Sequence, residues 1–228
     1  LSSLSKLGVS QTLENIIPLP SLPWTVSIKK NWTISEQGAL DLWDTFLAQG
    51  IQKYKDGRNI PSEPFTSRLS PYIRFGQISI RKLYHDAIAS NQGLNSAHFI
   101  SELGWRDFSY YLLLHFPTMV TDNFQPKFDK LPWDYNERLF KAWCYGNTGY
   151  PIVDAGMREL YETGYMHNRL RMICGSFLVK NLLIHWSYGE KWFWNCLFDA
   201  DFASNVAGWQ WVAGTGADAA PYFRIFNP

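Results

Sequence analysis

An all-α domain is what this sequence predicts, on three observations. Apolar residues recur at three- and four-residue spacing in successive segments, nothing alternates at period two for long, and the segments are bounded by helix start and stop residues. Residues 1 to 34 are the exception. They are rich in Ser, Pro and Leu, and Pro18, Pro20 and Pro23 are closely spaced, which suits an extended linker better than packed structure. From Ser35 the pattern changes, and Ala39, Trp43, Phe46, Leu47, Ile51 and Tyr54 mark one helix face that Asp56-Gly57 closes. Residues 57 to 77, with Pro61, Pro64 and Pro71, form a polar connection of a length that is usually functional. Ser79 caps a helix carrying Ile80, Leu83, Tyr84, Ala87 and Ile88. Ser96 caps a longer one, through Phe99, Ile100 and Leu103 to Leu114, stopped by Pro117. Residues 136 to 145 make a short helix ended by Gly146, and Pro151 and Gly164 suit the two ends of the next. Residues 168 to 185 read as a buried helix, followed by one from Gly189 to Phe198. Residues 199 to 211, DADFASNVAGWQW, read as a loop in which two acids and an asparagine stand beside two tryptophans.

The chain of 228 residues is 46% hydrophobic, which allows one large domain with a sizeable core. A net charge of +1 excludes a global field that gathers nucleic acid or anionic lipid, so anion binding must come from local clusters of Arg and Lys. Eleven tryptophans are too many for core packing alone, because each buried indole N–H needs a partner. Cys144, Cys174 and Cys196 lack metal-ligand or redox-pair spacing, so no metal site and no disulfide framework are expected, and a reducing cytoplasm fits. No apolar run reaches membrane-spanning length. Beginning at Leu1 and ending at RIFNP, the chain reads as a piece of something longer.

Four stretches raise a functional claim. Gly214-Thr-Gly216-Ala-Asp-Ala219 matches a loose dinucleotide pattern, but that pattern needs a strand before it and a helix after it, and Pro221 would break such a helix. In FTSRLSPYIRFG (65 to 76), Thr66, Ser67 and Ser70 supply hydroxyls and backbone amides that suit an anion, with Arg58 to add a charge; a solvated loop built on Ser/Thr turns fits equally. In SELGWRDFSYY (101 to 111), Glu102, Trp105 and Arg106 share one helix face while Leu103 and Phe108 lie away from it. That face suits a base pocket or an ordinary amphipathic helix. In YMHNRLRMICGSF (165 to 177), Asn168, Arg171 and Met172 share a face, and Arg171 on a buried helix calls for an acidic partner, Asp199 or Asp201. His167 and His185 read as satisfied structural residues.

The strings FTSRLSPYIRFG, ELGWRDF, GNTGYPIVDAGMREL, GYMHNRLRMICGSFLVKNLL and DADFASNVAGWQWVAGTGADAAPYFRIFNP, in this order, closely resemble the flavin-binding helical domain of the DNA photolyase and cryptochrome family. The resemblance runs from about Ser35 to Pro228 and is nearest to the cyclobutane pyrimidine dimer photolyases. It implies a multi-helix domain, 35 to 228, that binds FAD in a folded conformation. Residues 1 to 34 are then the connection from an N-terminal α/β domain holding an antenna chromophore of folate or deazaflavin type, and further helices follow the end of this chain. By position, Tyr54, Arg58 and the loop Thr66, Ser67, Arg68, Leu69 and Ser70 match residues holding the ribityl and diphosphate part. Arg171, Asp199 and Asp201 match the polar edge of the flavin ring, and Asn205 the residue facing N5.

The same resemblance implies a substrate, damaged DNA. Glu102, Trp105, Asn168, Met172 and Trp211 match a pocket for a flipped-out pyrimidine dimer, and Arg106, Arg169 and Arg224 are candidates for flanking phosphates. The implied reaction is light-driven electron transfer from reduced FAD, a carbon–carbon lyase reaction in which Glu102 stabilises the dimer radical anion. Trp209, Trp186 and Trp133 match a relay that passes electrons to the flavin, whereas Trp43, Trp143, Trp192 and Trp194 read as core. Asn205 resembles photolyases, since an amide cannot release a proton. The alternative within the family is a cryptochrome, a blue-light receptor binding FAD without repair. A monomer is expected.

Overall fold

Ser35 starts the first long helical run as the sequence predicts: its side chain accepts the amide of Gly38 at 3.0 Å, satisfying a donor that the first turn leaves free. The computed structural model describes residues 23 to 218, 225, 226 and 228, and among these there is no strand. The order is α1 (Pro23–Asn31), α2 (Glu36–Thr45), a π-helical turn (Phe46–Gly50), a 3-10 turn (Ile51–Lys53) and α3 (Tyr54–Gly57), then α4 (Ser70–Arg74), α5 (Ile80–Ala89) and α6 (Leu94–His115). After two 3-10 turns come α7 (Glu137–Cys144), α8 (Pro151–Thr163), α9 (Asn168–Ser176) with a π-helical turn (Phe177–Asn181), α10 (Trp186–Cys196) and α11 (Phe202–Ala213).

Two apolar cores organise these helices. One gathers Trp43, Phe46, Tyr54, Leu83 and Phe99; the other gathers Trp143, Met157, Leu178, Trp186 and Trp209. The 22-residue α6 serves both, with Phe99 in the first and Leu112 in the second, and α11 packs on α6 and α10. The candidate site therefore lies where rigid elements from both cores meet.

Four expectations are corrected. Residues 23 to 31 are not extended: α1 packs on α8, and buried Trp32, just beyond it, donates its indole N–H to the Thr163 carbonyl at 2.9 Å. Proline is compatible with this because Pro23 is the first helical residue, where no amide is needed. The helix expected from Ser96 begins at Leu94, after Gly93 turns the chain at φ +56°. Residues 202 to 213 form α11, not a loop, capped by Asp201, whose carboxylate accepts the Ser204 amide at 2.9 Å. Trp194 is 41% exposed rather than core, resting edge-on against Phe202. The glycine-rich GTGADA motif follows a helix, as its dismissal requires: Gly214 ends α11 at φ +86°, and Ala219 and Pro221 lie outside the described residues.

Trp209 is locked from beneath by Gly189 of α10, where a Cβ would overlap the indole ring. The ring cannot retreat, since Trp143 and Phe193 hold it edge-on at 6.0 and 4.9 Å. Gly189→Ala is expected to destabilise the domain by about 1–3 kcal/mol through overpacking, against which the helix-propensity gain of ~1 kcal/mol is the smaller effect. A denaturant midpoint equal to the parent's would show that the indole has room.

Candidate functional site

Arg58 follows α3 and turns its guanidinium over the Tyr54 ring at 5.3 Å while pairing with Glu102 of α6. The residues predicted for cofactor and substrate are thus joined to each other. Burial pushes the Tyr54 phenol well above its ordinary range, so it is a neutral wall. Thr66 lies beside the Tyr165 hydroxyl. Arg68 departs from the expected phosphate role: its side chain lies over Trp32 and Tyr165 at 4.9 and 4.8 Å, and its backbone takes φ +52°. Leu69 is buried in the first core, so only its backbone is available to a ligand. Ser70 opens the short α4 ahead of Pro71.

Arg171 of α9 has the acidic partner the sequence calls for, and it is Asp199: Nη2 meets Oδ2 at 2.8 Å, and Nε donates to the Met166 carbonyl at 2.8 Å. Burial works against its charge, but Asp199 overrides this and holds the guanidinium protonated. Asp201 is not a second partner for Arg171. It takes Arg106 at 3.1 Å, the Tyr110 hydroxyl and the amide of Ser204. Burial alone would raise its pKa; the Tyr110, Ser204 and Arg106 contacts outweigh this and hold the carboxyl below its ordinary range.

Asn205, on the first turn of α11, spends its amide hydrogens on Glu190: Nδ2 lies 3.0 Å from the backbone carbonyl and 2.9 Å from Oε1. The Asn205 Oδ1 acceptor is left for other partners. Glu190 escaped the sequence reading because fifteen residues separate it from Asn205 and only the antiparallel seating of α10 and α11 brings them together. Burial pushes the Glu190 carboxyl up, against the smaller opposing effects of Asn205 and Lys191.

Two buried polar atoms nearby have no partner among the described residues, Asp199 Oδ1 and His167 Nε2. His167 therefore is not the satisfied structural histidine expected. Its Nδ1 accepts the Arg169 amide at 3.2 Å, so Nε2 carries the proton. Burial, then Arg169, Arg171 and Arg58, depress its pKa. A Cβ at Gly208 of α11 would meet nothing within 4 Å, leaving that side of the helix open.

Of the expected substrate residues, Trp105 and Asn168 are exposed, and Glu102, Met172 and Trp211 are half-buried. Trp105 is 52% exposed and packs edge-on against Phe108 at 5.8 Å, so Phe108 does not lie away from that face as the spacing suggested. Asn168 Nδ2 and Arg169 Nη1 both approach the Met172 sulfur, at 3.9 and 3.1 Å. Arg169 also donates from Nε to Asn59 Oδ1 at 2.9 Å, a partner that spacing does not reveal. Trp211 stacks with Phe226 at 6.3 Å. Arg106 is committed to Asp201 rather than free for a phosphate, and Arg224 lies outside the described residues.

Trp209, Trp186 and Trp133 all join the second core, the first two buried and the third half-buried. Their rings use different partners. Trp209 touches Trp143 and Phe193, whereas Trp133 reaches Trp186 by way of His185, whose ring lies 5.1 Å from one and 5.2 Å from the other.

Residues 99 to 228 match the family model described as the FAD binding domain of DNA photolyase. A deoxyribodipyrimidine photo-lyase of Agrobacterium fabrum is 50% identical over 226 residues, covering 96% of this chain and 47% of the relative. The crystal structure of a class III photolyase from Agrobacterium tumefaciens superposes with a TM-score of 0.88 at 49% identity, over 96% of this chain and 46% of that one. A Synechocystis cryptochrome structure gives 0.79 at 32% identity, over 94% and 45%. The chain spans about half the length of these relatives. Among the described residues no helix is long and apolar enough to cross a membrane.

Proposed function

The chain belongs to the family of FAD-binding domains of DNA photolyase, and from that premise we propose that it carries out light-dependent repair of cyclobutane pyrimidine dimers in DNA. The observation that carries the proposal beyond the family is the clamped amide of Asn205. With both hydrogens held by Glu190, it presents an acceptor that has no proton to release, which suits a site holding one flavin state rather than cycling between several. The residues fit FAD. Asp199 Oδ1 is a buried acceptor and His167 Nε2 a buried donor, neither with a partner among the described residues, and Arg58 offers a cation suited to a diphosphate.

When bound and reduced, FAD supplies the photoexcited electron that opens the cyclobutane ring and that returns afterwards. The protein's own residues orient and shield. Arg171, fixed by Asp199, would supply a cation at the flavin ring, and Asn205, its amide held by Glu190, would offer its Oδ1 there. Trp105 and Trp211 flank an extruded dimer, and Asn168 hydrogen-bonds a base edge beside Met172. Glu102 is released from Arg58 as the dimer enters and then stabilises charge on its base. Arg169 meets a flanking phosphate, and Arg58 with the 66 to 70 backbone meets the diphosphate. The antenna chromophore, in our reading, belongs to an N-terminal α/β domain that precedes residue 35.

The decisive measurement is repair of dimer-containing oligonucleotides by the protein carrying reduced FAD, in light and in darkness. Light-dependent loss of dimers is expected. An FAD-loaded protein with no such loss supports the cryptochrome reading instead.

A further inference from the structure

The indole N–H groups of the three relay tryptophans meet different surroundings. That of Trp209 is buried with no acceptor among the described residues. That of Trp186, fully buried, donates to Asn123 Oδ1 at 2.9 Å, and Asn123 Nδ2 donates onward to the exposed Asp129 carboxylate at 2.8 Å. Trp133 is half-buried. The segment carrying Asn123 is pinned on both sides by Gln210 of α11, itself wholly buried. Gln210 Nε2 donates to the carbonyls of Met119 and Asp122 at 2.6 and 3.0 Å, and its Oε1 accepts the Phe124 amide at 2.8 Å. Next to it, the Gln125 amide donates to the Thr215 carbonyl at 3.0 Å.

We propose that Asn123, backed by Asp129, is a positioning residue that makes the tryptophan relay directional by stabilising the oxidised form of Trp186. The inference rests on the reading of Trp209, Trp186 and Trp133 as that relay. Once an electron has left Trp209 for the photoexcited flavin, Trp186 refills Trp209 and becomes a radical cation; Trp133 then refills Trp186. Each step moves one electron and breaks no bond. A cation in a dry core is costly, and the hydrogen bond to Asn123 becomes charge-assisted only when the hole sits on Trp186. Trp209 has no such support, so the hole is driven outward. An amide oxygen accepts this hydrogen bond but is too weak a base to take the proton, which leaves the hole free to move on.

The other titratable ring against Trp186 does not oppose this. His185 caps α10 through Nδ1, which accepts the Ser187 amide at 3.2 Å, and that role requires an unprotonated nitrogen. Burial keeps its pKa below the ordinary value, with Asp129 pulling the other way.

The test is transient absorption of the flavin-loaded protein with Asn123→Leu and the isosteric Asn123→Asp. In Asn123→Leu, oxidation of Trp209 is expected to persist while the hole equilibrium shifts back from Trp186 by roughly tenfold to hundredfold, the worth of a hydrogen bond to a charged group. In Asn123→Asp the carboxylate takes the indole proton, and a neutral tryptophanyl radical accumulates at Trp186. A readout independent of light is the 15N-indole signal of Trp186, which should exchange faster with solvent in Asn123→Leu while that of Trp143, bonded to the Cys174 carbonyl at 2.9 Å, stays unchanged. Parent-like hole transfer in Asn123→Leu overturns the proposal. Trp186→Phe separates the premise from the inference: normal photoreduction in that variant shows that Trp186 is no relay member, whatever Asn123 does.

Discussion

Asp201→Ala is expected to lower the stability of the domain by about 3–5 kcal/mol, the cost of leaving one half of a buried ion pair without its partner. That corresponds to a fall in melting temperature on the order of 10 °C for a chain of this size. Three losses coincide at this residue. Arg106 keeps a charge with 19% of its side chain exposed and no carboxylate, the Tyr110 hydroxyl loses its acceptor, and α11 loses its N-cap. Arg106→Ala should cost less, because Asp201 retains Tyr110 and Ser204. The same residue gives an acid limb. Its folded pKa lies below the unfolded value near ~3.9, so its contribution is complete above that value and is lost as pH falls through the folded pKa. Asp201→Asn keeps a capping oxygen but should remove this part of the acid limb. A melting temperature within a degree or two of the parent for Asp201→Ala would mean that Arg106 and Tyr110 are satisfied by water, and would restore Arg106 as a free candidate for phosphate.

What the sequence made legible follows from how far apart the partners are. Helices with one apolar stripe, such as α2 and α8, announce themselves by period and caps, and Ser35, Asn136, Pro151 and Gly164 stand at their ends as read. The segment α11 is apolar nearly all round and packs on both α6 and α10, so it carries no single stripe to detect. Its Asn, Gly and Ser then pull the reading toward a loop. The Arg171 partnership was narrowed to two acids two positions apart, and only the cap geometry separates them: Asp201 is turned onto α11, leaving Asp199 for Arg171. Arg58–Glu102 and Arg106–Asp201 join residues 44 and 95 positions apart, beyond any local pattern. The family motifs point to every one of these residues as important; the structure shows that several of them are bound to one another.

Trp209→Phe is expected to abolish photoreduction of bound FAD while leaving repair intact when the flavin is reduced chemically. The two outcomes separate because the indole's task is to give up an electron, and a phenyl ring is far harder to oxidise though it fills much of the same space. The substitution should be tolerated structurally. The pocket between Trp143, Phe193 and the bare backbone of Gly189 loses part of one ring, a cost well below the ~3–5 kcal/mol of truncating a buried aromatic to alanine. No hydrogen bond is lost with it, since the Trp209 N–H has no acceptor among the described residues. That combination is informative in itself. A buried indole whose N–H is unsatisfied is a poor choice for packing, where phenylalanine would serve at lower cost. Its place next to Gly208 and four residues from Asn205 argues for electronic rather than structural use. Photoreduction at the parent's rate in Trp209→Phe would remove that argument and shift attention to Trp143, the other tryptophan in contact with it.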